Sequence, residues 1–231
     1  MFTIAGFTHK GTERDYNQDS ILINEHLNPD FIFLEEEKEA VCFVADGVGG
    51  SNDGKFASNF ILKKILEYKK DFTRAPKQTL KMINKLLIEN TRNKISLQGS
   101  STTISGVILQ NNNINILHAG DSAVWLLRNK KLIKLTNDQV LSPTEINSPI
   151  TSYMGGIKDY LEFDEIELIK NLPKDILMIC SDGLFKALKW KQVLSILTSD
   201  KNLETKTKRI LDTANQLGTP DNISVILIEN L

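Results

Sequence analysis

The sequence predicts an α+β fold with mostly antiparallel sheets rather than a series of βαβ units. Two observations predict it: short strand-like runs follow one another in groups, and helical patterns occur in pairs between those groups. The chain has 231 residues, of which 41% are hydrophobic and 25% charged. A chain of this length can bury roughly 70–75% of its unfolded surface, and its composition is that of a globular protein. We therefore expect residues 1–231 to form one domain.

The first half of the chain has four strand patterns followed by two helical patterns. The fourth strand pattern is continuously apolar, which is typical of a buried strand. In the helical segments, apolar residues recur three or four positions apart, and Pro76 fits the first turn of a helix. Strands are predicted at residues 3–7, 20–24, 31–34 and 40–45, and helices at 55–70 and 76–97.

The second half repeats this order of strands and then helices. The Asn-rich segment 111–113 and the pair Asn129-Lys130 separate apolar runs and predict hairpin turns. Residues 139–160 show little periodicity and are predicted to form a mobile surface loop. Strands are predicted at residues 102–109, 114–118, 124–127, 132–135, 161–169, 176–180 and 223–228, and helices at 191–198 and 203–217.

Composition also argues against several classes of partner. Lys and Arg total 28 against 29 Asp and Glu, a net charge of −1. Without a basic excess, nucleic acid is not an expected partner. The apolar runs are shorter than the ~18 residues of a membrane helix, and residues 1–15 do not resemble a signal peptide. Cys42 and Cys180 lie inside apolar runs, which favours buried free thiols over a disulfide and predicts a cytoplasmic location.

Five aspartates occupy strand ends or turns in this predicted arrangement. Asp46 and Asp182 each end an apolar run and precede Gly, whereas Asp19 and Asp221 come just before a strand. Asp121 lies in a tight Gly-Asp-Ser turn between two strands. Because the end of one antiparallel strand lies beside the start of its neighbour, all five carboxylates could gather on one rim.

Each aspartate alone has a simpler interpretation, because Asp-Gly is a common turn sequence. Taken together they are harder to explain as turns. Two carboxylates about 5 Å apart repel by roughly 3 kcal/mol at an effective dielectric constant near 20. A rim of several carboxylates therefore predicts cations, and ligation by oxygen alone favours Mg²⁺ or Mn²⁺ over zinc.

A competing motif overlaps one of these aspartate segments. Residues 49–55 (GGSNDGK) match the phosphate-binding P-loop pattern G-x-x-x-x-G-K, after an apolar strand and before a predicted helix. Phe56 occupies the position of the Mg²⁺-binding Ser or Thr, and Asp53 would place a negative charge against the phosphates. The P-loop also leaves Asp46, Asp121 and Asp221 unexplained, so a P-loop NTPase is the less favoured alternative.

The ordered set of motifs resembles the PP2C (PPM) family of metal-dependent serine/threonine protein phosphatases, in their compact bacterial form. The resemblance runs from residue 14 to residue 224 and therefore covers nearly the whole chain. It implies a four-layer α-β-β-α sandwich of two antiparallel sheets flanked by helix pairs. The matching segments are 14–19 (RDYNQD), 46–50 (DGVGG), 99–103 (GSSTT), 120–122 (GDS), 181–184 (SDGL) and 221–224 (DNIS).

The resemblance also implies which residues bind metal. Asp46 would bridge two Mn²⁺ or Mg²⁺ ions, and the carbonyl of Gly47 would complete the ligands of one of them. Asp182 and Asp221 would bind the other ion. Asp121 would contribute to the weaker third metal site that many relatives have.

Three further residues are implied to act near the substrate. Gln18 and Asp19 would act through metal-bound waters, and Arg14 would hold the substrate phosphate. A metal-activated water is then the nucleophile, and the ions neutralise the charge that builds on the phosphoryl oxygens. The catalytic residues are thus expected to be Arg14, Asp19 and Asp46, and residues 139–160 to form a flap beside them.

The chain departs from the family pattern at a few positions. Gln18 stands where many relatives have Glu, Val48 where some have His, and Gln139 where a His is common. Lys186 stands where many relatives carry an acid for the third metal. The leading hypothesis is an enzyme that hydrolyses phosphoserine and phosphothreonine on proteins and so opposes a Ser/Thr kinase. A catalytically inactive PP2C-like domain that binds phosphoproteins is the alternative.

Overall fold

Two six-stranded antiparallel sheets form the centre of the structure, which is a computed structural model. It describes residues 1–48, 53–110, 113–145, 148–157, 161–168 and 172–231. The strands are β1 (Phe2–His9), β2 (Ser20–Ile23), β3 (His26–Leu27), β4 (Phe31–Glu37), β5 (Ala40–Ala45), β6 (Ser101–Thr102), β7 (Ile104–Gln110), β8 (Asn113–Ala119), β9 (Ala123–Arg128), β10 (Lys131–Lys134), β11 (Met154–Gly155), β12 (Asp164–Leu168), β13 (Ile176–Cys180) and β14 (Ile223–Asn230). The helices are α1 (Gly54–Glu67), α2 (Lys69–Arg74), α3 (Pro76–Arg92), α4 (Gly183–Ala187), α5 (Trp190–Leu197) and α6 (Leu203–Leu217).

One sheet has the order β10-β9-β13-β14-β1-β4 and the other the order β12-β8-β7-β5-β2-β3. Their facing sides form a shared apolar core that includes Ile4, Val44, Val107, Ile179 and Ile226. Strands such as β5 and β13 are apolar at every position because each sheet also buries its other face against helices. The predicted α+β fold with antiparallel sheets is confirmed.

The outer faces of the two sheets are covered by separate groups of helices. Helices α1, α2 and α3 pack on the sheet that contains β5, with Ile61, Phe72 and Ile83 buried in the contact. Helices α4, α5 and α6 pack on the sheet that contains β13. Each group is a pair of longer helices with one short helix added, so the molecule has the expected α-β-β-α order of layers.

The helix predicted at residues 55–70 is in fact two helices. The backbone leaves helical geometry at Tyr68, and α2 starts directly afterwards. This change of direction brings Phe72 into the core, where its ring lies edge-on to Phe43 with the centroids 5.3 Å apart. Burial of that aromatic ring favours the break over a continuous helix.

The helix predicted at residues 76–97 ends earlier, at Arg92. Its apolar stripe of Leu80, Ile83 and Leu87 is buried, but Ile95 is 89% exposed, so a longer helix would bury no further apolar side chain there.

The hairpin predicted at Asn129-Lys130 is confirmed, because β9 pairs with β10 and both turn residues have positive φ, of 51° and 59°. Residues 111 and 112 of the other predicted turn lie outside the described residues, although β7 and β8 pair up to Gln110.

Two further predictions concern the interior and the membrane. Cys42 and Cys180 are buried free thiols, as the apolar runs around them indicate. Among the described residues, none of the helices has the length and apolar character that crossing a membrane requires.

Candidate active site

The strand pairing brings the five aspartates to one rim of the sandwich. Ser20 pairs with Ala45, so Asp19 and Asp46, one residue further on each strand, are neighbours. Cys180 pairs with both Val225 and Ala123 on its two sides. Asp182, Asp221 and Asp121 lie just beyond these pairs, and the rim therefore has contributions from both sheets.

Asp46 is held in place by two threonines of the neighbouring segment. Its backbone N–H donates to Thr103 Oγ1 at 3.0 Å, and its carbonyl accepts from the Thr103 N–H and from Thr102 Oγ1, both at 2.8 Å. Burial is the main cause that raises the pKa of Asp46 well above its usual value, and the carboxylates of Asp19, Asp182, Asp121 and Asp221 add to it. The carboxylate that was expected to bridge two metals thus lies where negative charge accumulates.

Gly47 follows Asp46 in close contact with the start of α1. A Cβ atom on Gly47 would lie 2.5 Å from the carbonyl carbon of Gly54, so only glycine permits this approach. Asp53 caps α1 by accepting from the Phe56 N–H at 2.9 Å. A carboxylate therefore occupies the helix end where a P-loop would bind phosphate, and the strand before it lies in an antiparallel sheet. Residues 49–52 of that motif lie outside the described residues, and the described part does not support a P-loop.

Asp19 is buried beneath the rim. Its Oδ2 accepts from the hydroxyls of Ser181 and Ser224, both at 2.8 Å, and its Oδ1 is buried with no hydrogen-bond partner. Burial raises the pKa of Asp19 to about 7, although the two serine hydroxyls lower it and Asp182 and Asp221 raise it further. Asp19 thus links the beginning of β2 with the segments that carry Asp182 and Asp221.

Asn222 attaches the loop that carries Gln18 and Arg14 to the rim. Its Oδ1 accepts from the Gln18 N–H at 2.8 Å, and its Nδ2 donates to the carbonyls of Lys10 and Tyr16 at 2.8 and 3.0 Å. The Gln18 carbonyl also accepts from the Ser58 hydroxyl at 2.6 Å, which joins it to α1. These bonds position the backbone of the loop from both sides.

Asp182 and Asp221 share one cation. Lys186 Nζ lies 2.6 Å from Asp182 Oδ2 and 2.7 Å from Asp221 Oδ2, and Arg14 Nη2 lies 2.9 Å from Asp221 Oδ1. A Cβ atom on Gly183 would lie only 1.9 Å from the Asn222 carbonyl oxygen. That close backbone contact is what holds the start of α4 beside the start of β14, and it keeps the two carboxylates together.

Asp121 lies in the turn between β8 and β9, next to a small cavity. Gly120 has φ of 114°, which favours glycine. Gln139 closes the turn with two hydrogen bonds: its side-chain Oε1 accepts from the Gly120 N–H at 3.0 Å, and its backbone N–H donates to the Gly120 carbonyl at 2.8 Å. Burial and then Asp182 raise the pKa of Asp121 to about 6, with Lys186 opposing. The cavity, of about 210 Å³, is lined by Asp121, Asp182 and Lys186 and by Val140, Pro143, Glu145 and Ser148 of the predicted flap.

Comparison with known proteins identifies the family. A sequence model described as protein phosphatase 2C matches residues 17–218, which is most of the chain. The chain belongs to the protein phosphatase 2C family. The match extends over the segments that carry Gln18, Asp46, Asp121 and Asp182, all of which lie on the rim.

Relatives that match over most of their length agree with this membership. The serine/threonine phosphatase Stp of Listeria innocua is 26% identical, over 96% of this chain and 93% of its own. Protein phosphatase PhpP of Streptococcus pneumoniae is 26% identical, over 97% of this chain and 96% of its own. In fold, the chain is similar to the structure of serine/threonine phosphatase Stp1 from Staphylococcus aureus, with a TM-score of 0.85 and 20% identity. The match covers 100% of this chain and 96% of the Stp1 chain. It is also similar to the S. agalactiae serine/threonine phosphatase, with a TM-score of 0.81, 24% identity and full coverage of both chains.

PP2C phosphatases depend on metal, and the rim of this PP2C chain has the groups that a divalent ion needs. The Oδ1 atoms of Asp19, Asp121 and Asp182 are buried without a hydrogen-bond partner, which is costly for an oxygen of an acid unless a cation is present. Within the described residues, no three His, Cys, Asp or Glu side chains group closely enough to enclose a metal by themselves. Ions would therefore be held by one or two carboxylates each, together with a backbone carbonyl and water, as is common for Mg²⁺.

Several residues that build this PP2C site were not singled out from the sequence. Ser181 and Ser224 orient Asp19, Asn222 attaches the loop of Arg14, and Gln139 closes the turn of Asp121. Ser181, Asn222 and Ser224 do lie inside the motifs, next to the predicted aspartates, and that position was the available signal. Gln139 was noted only as a departure from a common His.

Proposed function

We propose that this PP2C-family serine/threonine phosphatase hydrolyses phosphoserine and phosphothreonine on proteins with two Mn²⁺ or Mg²⁺ ions bound at the rim. Asp46, the Gly47 carbonyl, Asp182 and Asp221 would hold the ions directly. When bound, such ions lower the pKa of water to make a nucleophile near neutral pH and neutralise charge on the phosphoryl oxygens.

One observation carries this proposal: five carboxylates meet at one rim, and their environment raises the pKa of four of them, Asp19, Asp46, Asp121 and Asp182. In such a cluster, burial and the neighbouring negative charges disfavour ionisation of each carboxyl group. Bound divalent cations would offset both effects and keep the carboxylates ionised at neutral pH. A set of structural turns would not need this concentration of buried acid.

Gln18 and Asp19 would act one step further from the ions, through water. Asp19 is fixed by Ser181 and Ser224, so its remaining Oδ1 has a defined direction. The Gln18 backbone is fixed by Asn222 and Ser58. Asp121, beside the small cavity, would add a weak third ion.

Arg14 would bind the substrate phosphate. Its side chain is 49% exposed and pairs with Asp221 at 2.9 Å, so it lies at the rim and is still accessible from solvent. A guanidinium can form two parallel hydrogen bonds with a phosphate, which orients the phosphoryl group and offsets its charge.

The biological setting is also a proposal. The substrates would be proteins phosphorylated by a Ser/Thr kinase, with no role for nucleic acid. Burial raises the pKa of Cys180 to about 12, and it raises the pKa of Cys42 further, so both thiols are inert and typical of a reducing compartment, the cytoplasm. Residues 1–231 would work as one phosphatase domain, with 139–160 as its flap.

The test is hydrolysis of p-nitrophenyl phosphate and of phosphoserine and phosphothreonine peptides with Mn²⁺, and again with excess EDTA. We expect turnover with Mn²⁺ and none with EDTA. Asp182→Asn should lower kcat/KM by at least about 100-fold, since even supporting residues around a metal cost 10–100-fold. Asp212→Asn, the same change at an exposed position of α6, is the control and should retain full activity.

Two outcomes would contradict the proposal. If folded wild-type protein has no turnover at any Mn²⁺ concentration but binds phosphopeptides, it is the inactive binding domain, an alternative that the Lys186 pairing with Asp182 and Asp221 favours. If it hydrolyses ATP and Lys55→Ala abolishes this while Asp221→Asn does not, the P-loop interpretation of residues 49–55 is restored.

A further inference from the structure

The ammonium group of Lys186 lies where a divalent ion bound to Asp182 and Asp221 would have to be. Its Nζ is within hydrogen-bond distance of Oδ2 of both carboxylates, at 2.6 and 2.7 Å. We propose that Lys186 is a resident cation that competes with divalent metal for the Asp182–Asp221 pair and so lowers the metal affinity of this site. This inference rests on the proposed function, because it assumes that the pair binds metal.

The position of Lys186 is determined by the fold and is not that of a free surface lysine. It lies four residues after Asp182 on α4, so both side chains are on the same face of that helix. The contact of Gly183 with the Asn222 backbone brings Asp221 to the same face. The side chain of Lys186 is 31% exposed, and those of Asp182 and Asp221 are 27% and 20% exposed, so the three groups are partly shielded from water.

The charges make this an exchange of one cation for another. A lysine side chain carries a positive charge at neutral pH, and Lys186 Nζ lies within hydrogen-bond distance of two carboxylates. A charged ammonium has no lone pair for a metal and repels it, so a divalent ion can use both oxygens only after Lys186 moves away. The energy of the two ion pairs is then subtracted from the energy of metal binding.

The structure also provides a place for the displaced side chain. Lys186 lines the same cavity of about 210 Å³ as Asp121 and Asp138. Asp121 Oδ1 is buried without a hydrogen-bond partner. A lysine has a flexible four-carbon chain and can turn from one carboxylate to another without movement of its helix. Displacement is therefore possible without unfolding of α4, and metal binding at the pair remains compatible with the fold.

The test measures binding of Mn²⁺ directly, without turnover. Free Mn²⁺ is followed by electron paramagnetic resonance during titration of metal-free wild type, Lys186→Met and Lys191→Met. Methionine keeps most of the length of the side chain and removes its charge. Lys191 is exposed on α5, so its variant has the same change in net charge outside the site. We expect Lys186→Met to bind the Mn²⁺ ion of the Asp182–Asp221 pair at least 10-fold more tightly than wild type. Lys191→Met should bind that ion as wild type does.

A second readout uses stability in EDTA. Without metal, Lys186→Met lacks the charge that balances Asp182 and Asp221, so it should melt at a lower temperature than wild type and gain more from added Mn²⁺. Lys186→Arg, which keeps the charge, should behave like wild type in both measurements. Circular dichroism establishes that each variant is folded.

The outcomes separate this inference from the proposed function. If wild type binds Mn²⁺ and Lys186→Met binds it equally or more weakly, Lys186 is not a competitor and only this inference is overturned. If Lys191→Met tightens binding as much as Lys186→Met, net charge explains the effect and the inference is again overturned. If neither wild type nor Lys186→Met binds Mn²⁺ while both are folded, the proposed metal site itself is wrong.

Discussion

At the scale of single residues, buried polar side chains near the rim are paired with partners that are far away in the sequence. Asp19 bonds with Ser181 and Ser224, and Ser224 also bonds with Thr8 at 2.8 Å. His118 is fully buried in β8, with Nδ1 2.7 Å from Ser105 Oγ and Nε2 2.8 Å from the Asn137 carbonyl oxygen. The sequence predicted the strand at residues 114–118 that includes His118, but it contained no indication of these partners.

His118 gives a prediction about pH. Burial lowers the pKa of His118 below its usual 6.5, with the Asn137 carbonyl opposing. The unfolded chain then binds a proton more readily than the folded one, so stability that is present above pH 6.5 is lost as the pH falls below it. Wild type should lose more unfolding free energy between pH 7.5 and pH 5.5 than His118→Gln, by at most about 1.4 kcal/mol per pH unit. Urea denaturation at the two pH values measures this, and equal losses in the two proteins would contradict it.

At the scale of elements, turns and helix ends could be predicted where the local sequence alone decides them. The pair Asn129-Lys130 adopts positive φ at both positions, which is the geometry of a type I′ hairpin turn. The break between α1 and α2 could not be predicted in this way, because it depends on the packing of Phe72 against Phe43, a residue far away in the sequence. Helix α4 was also not predicted, since it has five residues and depends on the contact of Gly183 with Asn222.

The hairpin gives a second prediction. Lys130 has φ of 59°, a conformation that costs a non-glycine residue about 1 kcal/mol. Lys130→Gly should therefore increase the free energy of unfolding by about that amount, measured by urea denaturation. Lys131→Gly, one residue later in β10, has ordinary strand geometry and should decrease it by about 0.5–1 kcal/mol. A loss of stability in Lys130→Gly would show that the turn is not strained.

At the scale of the whole molecule, the candidate active site forms only because two sheets are packed together. Asp19 and Asp46 belong to the sheet of β2 and β5, whereas Asp182 and Asp221 belong to the sheet of β13 and β14. The apolar core between the sheets therefore determines the distance between the two halves of the site.

The shared core gives a third prediction. Ile179 is fully buried between the sheets, two residues before Ser181. Ile179→Ala should lower the free energy of unfolding by about 2–5 kcal/mol, because it removes buried apolar surface and leaves a cavity. Ile133→Ala in β10, where the side chain is 46% exposed, should change it by less than about 1 kcal/mol. Thermal and urea unfolding of both variants test this, and equal losses would contradict the packing described.

The sequence by itself determined most of the strands, the α+β class, the family and the aspartates of the rim. These depend on hydrophobic periodicity and on short motifs, which are local properties of the chain. Only the tertiary structure decided that the acids converge, that Ser181 and Ser224 orient Asp19, and that Lys186 lies between Asp182 and Asp221. The physical reason is that each of these contacts joins residues from different strands and helices, and their distances depend on how the layers pack.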